Sequence, residues 1–318
     1  MTGPARHRLD LRQRDIDLSP SRIEAACARI DPVFLGTPQF VDEGLSAQLG
    51  REVVVKVETL NPIGSFKGRG TWLLAEKLDP GRTWVCATAG NFGQGLAYAA
   101  RARGAKVHVF AEAGAPPFKV ERMRALGAQV VVAERSGVAA REFVAADPEA
   151  RILVVDGQDP AIAEGAGTIG VELESLAPFD TVLVQIGDGA LISGVACWLT
   201  HRFPETRVVG VCASGAPAMA HSFEAGAPVA MEGDGTIATA LAITEPVPES
   251  VARVTQVVDE IVLVNDDDLR SAMGLIAERL GVLVEPAGAA GLAALRRHAE
   301  QLPGKRVAVI LTGAGAPG

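Results

Sequence analysis

A chain of 318 residues with a formal charge of −8 can bury a substantial core and has the wrong sign to be drawn to nucleic acid or an anionic membrane. Aromatic residues make up only 4% of it while Ala, Gly and Val abound, which suits helices packed tightly on a parallel sheet. No apolar run reaches membrane-spanning length, and the polar, Arg-rich residues 1–14 do not read as a signal peptide, so a cytoplasmic protein is expected. Cys27, Cys86, Cys197 and Cys212 are isolated and read as reduced core residues. The five histidines are scattered without ligand spacing, and no metal site is expected.

In chain order, Pro20 opens a helix to about residue 30, and Thr37-Pro38 starts an extended piece. Residues 53–57 are a strand, followed by a glycine-rich turn and a helix over 68–78. A regular alternation follows: strands at 84–87, 106–110, 129–133 and 152–155, with helices at 92–103, 117–126 and 137–146 between them. It resumes with helix 161–176, strand 181–186, helix 190–203 and strand 208–212. Residues 226–250 have little periodicity and read as a long functional loop. Strand 261–264, helices 266–280 and 288–299, and strand 306–311 close the chain. This rhythm predicts an α/β protein of two doubly wound lobes with parallel sheets. Residues 1–82 with 159–318 form the expected large cofactor-binding domain, and 83–158 a small mobile substrate domain.

Four loops carry candidate chemistry. In Asn61-Pro62-Ile63-Gly64-Ser65-Phe66-Lys67-Gly68-Arg69-Gly70, one lysine sits in a glycine-bracketed turn beside an apolar wall. Desolvation there is expected to favour the neutral amine and make Lys67 a nucleophile for Schiff-base formation. Thr88-Ala89-Gly90-Asn91-Phe92 lies between a strand and a helix, where successive amides can hold a carboxylate. Gly187-Asp188-Gly189-Ala190-Leu191 opens another helix and reads as a phosphate cradle, with the Asp188 side chain expected to turn away from the phosphate. It lacks the Lys-Ser/Thr of a nucleotide-binding P-loop and the acidic partner of a dinucleotide site. Thr312 puts a hydroxyl at the end of the last strand, followed by glycine, and Glu285-Pro286-Ala287-Gly288-Ala289 starts a helix. Each signal is weak alone. A reactive lysine, a carboxylate loop, a phosphate cradle and a strand-end hydroxyl together describe a site for pyridoxal 5'-phosphate.

The stretch 61–70 resembles the Asn-Pro-Thr-Gly-Ser-Phe-Lys-x-Arg-Gly signature of the threonine and serine dehydratase group of pyridoxal-phosphate enzymes, which have the tryptophan synthase β-like fold, fold type II. The likeness runs in order through Ala89-Gly90-Asn91, the 187–191 loop, Val284-Glu285-Pro286-Ala287-Gly288-Ala289 and Leu311-Thr312-Gly313. It implies that Lys67 is the catalytic Schiff-base lysine and that Phe66 packs on the cofactor ring. It implies that Asn91 meets the ring hydroxyl, that Gly187, Asp188, Gly189, Ala190 and Leu191 hold the phosphate, and that Thr312 faces the pyridine nitrogen. Ser65, Thr88, Ala89, Gly90, Asn91 and Phe92 would bind the substrate. A hydroxyl cannot hold the ring nitrogen protonated as a carboxylate would, which favours β-elimination over transamination.

The reaction so implied is ammonia-lyase chemistry on L-threonine, L-serine or a related β-substituted amino acid, giving a 2-oxo acid and ammonia. Lys67 would take the α-proton, and the hydroxyl would leave with a proton from the cofactor phosphate. A homodimer is expected by the same resemblance. Serine racemases of this group carry a serine where Ala89 stands, so a lyase is expected over a racemase. Phe92 replaces the usual histidine, Asp188 and Ala190 replace glycines, and Thr239-Ala240 replaces an Asp-Gly pair, all pointing to an altered substrate. The alternatives are β-replacement or γ-chemistry in the same site and, in another class, a non-catalytic ligand-binding protein on this scaffold.

Overall fold

The computed structural model describes residues 16–88, 90–232 and 235–315. The first third runs α1 (Pro20–Ala26), β1 (Gln39–Val41), α2 (Glu43–Leu49), β2 (Glu52–Val57) and α3 (Lys67–Ala75). Next come β3 (Thr83–Thr88), α4 (Asn91–Arg103), β4 (Val107–Glu112), α5 (Pro117–Ala125), β5 (Gln129–Ala133), α6 (Ser136–Ala145) and β6 (Arg151–Leu153). The rest is α7 (Pro160–Leu173), β7 (Thr181–Gln185), α8 (Ala190–Arg202), β8 (Arg207–Ala213), α9 (Ala218–Ala225), α10 (Pro248–Val257), β9 (Glu260–Val264), α11 (Asp266–Leu280), α12 (Ala290–Arg297) and β10 (Arg306–Leu311).

The strands form two sheets. One has the order β1-β2-β10-β7-β8-β9, and the other, β5-β4-β3-β6, draws all its strands from the stretch between Thr83 and Leu153. Every pairing is parallel except β1 with β2. Central strands such as β7, Thr-Val-Leu-Val-Gln, are buried along their whole length, as strands covered by helices on both faces must be. With parallel strands, all the carboxyl ends of a sheet lie on one side, and there the loops of both sheets meet.

Helices α2, α9 and α10 stand where the sequence pattern gives no expectation of them. Asp42 caps α2 by accepting from the Leu45 amide, and Gly50 ends it in the left-handed region at φ 65°. In α10 the valines at 251, 254 and 257 are buried, a helical spacing in residues that individually favour strands. The helix expected to reach residue 30 stops at Ala26, and that expected over 161–176 ends at Leu173 in a 3-10 turn. The stretch expected as helix from 288 begins as a 3-10 turn, Pro286–Ala289, before α12.

The glycines of the lysine segment are filled by the protein itself. A methyl group on Gly68 would collide with the Phe34 ring, and one on Gly70 would collide with the Ile162 carbonyl oxygen. Helices α3 and α7 therefore cross with their backbones almost touching. On the same helix Arg69 is fully buried inside a closed set of charges. Its guanidinium donates to both carboxylate oxygens of Glu58, at 2.9 Å each, and to Glu172 at 2.6 and 3.0 Å. Lys56, also fully buried, donates to Glu172 at 2.5 Å and to the Thr37 carbonyl at 2.8 Å. Two cations meet two carboxylates, and each has hydrogen-bond partners.

Candidate active site

The turn before α3 is built by Asn61. Its side-chain oxygen accepts from the Ile63 and Ser65 amides, at 3.2 Å each, and its amide donates to the Glu58 and Ser65 carbonyls. Gly64 takes the positive φ of 63° that this turn needs. The Phe66 amide then bonds the Thr312 carbonyl, tying the lysine segment to the end of β10. Lys67 is thereby set on the first turn of α3, aimed into a cavity of about 390 Å³ bounded by strand ends from both sheets.

Phe66, Lys67, Thr88, Gly90, Asn91, Phe92, the whole 187–191 loop and Thr312 line this cavity. Ser65 does not: it is fully buried behind the turn, where its hydroxyl accepts from the Lys67 amide at 3.4 Å. Ala89 lies outside the described residues. The Lys67 amine sits 5.2 Å from the Phe66 ring centre and 5.7 Å from that of Phe92. Gly189 enters α8 at φ 90°, and Gly187 is pressed against the 238–242 segment, where a methyl group would collide with the Ala240 carbonyl oxygen. The first amides of α8 thus open toward the cavity, free of the intrahelical bonds that later turns make. Residues 239–243 form the opposite wall, so part of the long 226–250 loop does reach the site.

The electrostatics differ from the sequence expectation. Lys67 is in direct contact with Asp156, and Asp188 lies 3.5 Å from the same amine. Burial does work against the ammonium, but the two carboxylates outweigh it, and the Lys67 pKa is raised above the usual lysine value. Among the protein's own groups the amine is held charged, where desolvation alone would have favoured the neutral form. The Asp188 side chain is turned into the cavity, toward Lys67. Burial, and then the charge of Asp188, push Asp156 up to about 7 against the opposing pull of Lys67.

Besides Asp156, the cavity residues Lys119, Glu285 and Gln185 make side-chain hydrogen bonds in the site and had no role assigned from sequence. Lys119, on α5, forms a buried ion pair with Glu285 at 2.5 Å, and Asn91 donates to the other Glu285 oxygen at 2.8 Å. Gln185, at the end of β7, places Nε2 3.0 Å from the carbonyls of Ala287 and Ile310 and 2.8 Å from the Thr312 hydroxyl oxygen, its two hydrogens shared among the three acceptors. The carbonyls fix which end of the amide is the donor, so the Thr312 hydroxyl accepts and keeps its own hydrogen for another partner. A signal for two of these existed. Asp156 follows a parallel strand at its carboxyl end, and Gln185 is the one amide side chain in the apolar run 181–186. Lys119 and Glu285 meet across 166 positions of sequence, which no local pattern reveals.

Among the described residues no helix is long and apolar enough to cross a membrane. Residues 30–313 match the family described as pyridoxal-phosphate dependent enzyme. The chain is 34% identical over 277 residues to the L-threonine ammonia-lyase of Thermotoga maritima, covering 85% of this chain and 68% of that one. It is 37% identical over 300 residues to the phenylserine dehydratase of Ralstonia pickettii, covering 92% of each. The solved structure of the T.th. threonine deaminase superposes with a TM-score of 0.88 at 30% identity, over 95% of this chain and 99% of that one. A lysine at a helix start, a glycine-entered helix facing it and a match running nearly end to end agree: the chain belongs to the pyridoxal-phosphate dependent enzymes, in the threonine/serine dehydratase group of fold type II.

Proposed function

We propose that this protein is an ammonia-lyase that removes water from a 3-hydroxy amino acid and releases a 2-oxo acid and ammonia. The observation that carries this reading is the placement of the Lys67 amine in one cavity with the α8 amides and the Thr312 hydroxyl. The residues fit the family's cofactor. The cavity has room for it, the first residues of α8 line it, and buried oxygens of Asp156 and Gln185 lack hydrogen-bond partners within the protein. When bound, pyridoxal phosphate supplies the electron sink for the pair left when a bond to the amino acid's α-carbon breaks.

In this reading the amides of 187–191 hold the phosphate, and Phe66 and Phe92 flank the reacting nitrogen. Thr88, Gly90 and Asn91 receive the substrate carboxylate. Lys67 would take the α-proton. Thr312 would have its hydroxyl hydrogen available for the ring nitrogen, since Gln185 already occupies its oxygen. The enamine set free hydrolyses in water. Residues 83–158 serve as the movable substrate half and 1–82 with 159–318 as the cofactor half. The working unit is a homodimer in the cytoplasm.

Phe92, Leu241, Ala242 and Ile243 favour an apolar substituent on the substrate's β-carbon, while Glu112, Glu134 and Asp156 disfavour an acidic one. The test is a spectrum of the purified protein with pyridoxal phosphate before and after each of L-threonine, L-serine, L-threo-phenylserine and L-threo-3-hydroxyaspartate, with 2-oxo acid assayed alongside. Oxo acid from the first three and little from the last is expected. A new amino acid in place of oxo acid would favour β-replacement, and no cofactor band would overturn the enzyme reading.

A further inference from the structure

Asp156 lies in a short loop between β6 and α7, and that loop is held with unusual firmness. Arg253 of α10, itself 2% exposed, donates to the Gly157 carbonyl and to the Gln158 carbonyl at 2.7 Å each, and Ser250 donates to Gly157 at 2.9 Å. The same guanidinium is pinned from behind by Asp17, at 2.6 and 2.7 Å. Such support fixes a side chain for a task that needs position. What it fixes is a carboxylate with one oxygen on the Lys67 amine and the other buried with no partner. The groups facing Asp156 are Lys67 from α3, Asp188 from the loop before α8 and the buried, neutral Cys86 thiol of β3. Arg253 spends its donors on the two carbonyls and Asp17. One cation therefore meets two carboxylates.

That imbalance cannot persist when the lysine reacts. Once the Lys67 nitrogen is bonded to a carbonyl carbon it carries at most one proton where the ammonium carried three, so fewer donors face the two carboxylates, and a proton on Asp156 compensates. We propose that Asp156 is a catalytic carboxyl that exchanges a proton directly with the Lys67 amine, an inference that rests on Lys67 being the reactive lysine of the proposed lyase. In the step, an N–H bond of the Lys67 ammonium breaks and an O–H bond forms on Asp156 Oδ2. The electron pair stays on nitrogen as the lone pair that attacks a carbonyl carbon or takes the α-proton. Ammonium and carboxylate become amine and carboxylic acid, and net charge is conserved without a co-reactant. When Lys67 next holds an extra proton, the transfer runs back. Asp188, at 3.5 Å and more exposed, is the neighbour whose charge makes Asp156 willing to hold that proton.

The test uses Asp156→Asn, which keeps the shape and cannot carry the proton. In the cofactor-free protein, the reaction of Lys67 with formaldehyde and cyanoborohydride is followed against pH by mass spectrometry of the labelled peptide. The midpoint is expected to fall by at least about one pH unit in the variant. In the loaded enzyme, kcat is expected to fall roughly 100-fold and the neutral limb of the pH profile to disappear, with Asp156→Glu restoring both in part. An unchanged Lys67 midpoint would overturn the pairing, and a shifted midpoint with unchanged kcat and profile would overturn the catalytic role. Should Asp156→Asn not fold, Asp188→Asn decides. Losing the like charge must move the neutral limb to lower pH, and an unmoved limb refutes the proposal. If the wild type makes no oxo acid, the lyase reading fails by itself, and the Lys67 titration still decides whether Asp156 controls its proton.

Discussion

Two positions apart on α3, Lys67 and Arg69 enter two very different charge clusters. Around Arg69, two cations and two carboxylates balance, and both guanidinium faces are filled by Glu58 and Glu172. Around Lys67, one cation faces two carboxylates, and an oxygen of Asp156 lacks a partner. Burial alone does not separate a structural cluster from a reactive one, since both are largely shut off from solvent. Balance does: the first set has nothing left to bind, whereas the second is complete only when something else enters the cavity.

The sharpest way to break the comparison is to remove the two cations separately. Lys67→Ala should abolish the cofactor's Schiff-base absorbance and lower turnover by at least about 10²–10⁴-fold, the range of a lost general base. Retained turnover would refute its role. Arg69→Met should do the reverse in kind, destabilising the fold by about 3–5 kcal/mol because Glu58 and Glu172 are left buried without their main partner. Urea unfolding measures it, and a loss under about 1 kcal/mol would mean that the cluster relaxes or admits water.

A third change tests the polar end of the cavity. Thr312→Asp would present a carboxylate where Gln185 now holds a hydroxyl as acceptor, and elimination should slow by roughly 10-fold or more, read in kcat for oxo-acid release. Unchanged kinetics would mean that Thr312 does not face the ring nitrogen.

The smallest effect sharpens the contrast through pH. Glu172 is partly buried, which works against its charge, but Arg69 and Lys56 outweigh that and lower its pKa. Its contribution to stability is therefore full above the usual glutamate range and lost as pH falls through the lowered value. Asp156 is raised, to about 7, by burial and by Asp188. The folded state then binds more protons than the unfolded one between the usual aspartate value and neutrality, so stability falls as pH rises across that window. In the cofactor-free protein, Asp156→Asn should flatten the decline from about pH 5 to 7, as measured by the urea midpoint at each pH. An identical slope in variant and wild type would mean that Asp156 does not titrate there.

Much of this was legible in the sequence because it is local. The alternation of strand and helix, the Asn61 turn, Lys67 on a helix start and the glycine-entered α8 all depend on neighbours within a few residues. The unread part depends on distant encounters. Asp156 and Lys67 are 89 positions apart, and the lysine's charge state is decided by that meeting, not by the apolar wall beside it. The glycines at 68 and 70 allow a close approach to the backbone, and what approaches is Phe34 and α7. Sequence shows that close approach is needed; only the fold shows what approaches.

The contact of Gly187 with Ala240 ties two inheritable traits together. One segment, 239–243, lines the cavity and is also what Gly187 leans on; in the proposed reading it is both the wall against a substrate side chain and the buttress of the anion-holding loop. A substitution there that widens the pocket for a new amino acid also shifts the support of the cradle. Laboratory selection for altered substrate range should therefore return variants whose cofactor demand has drifted as well, with second changes accumulating around 187–190 to recover it.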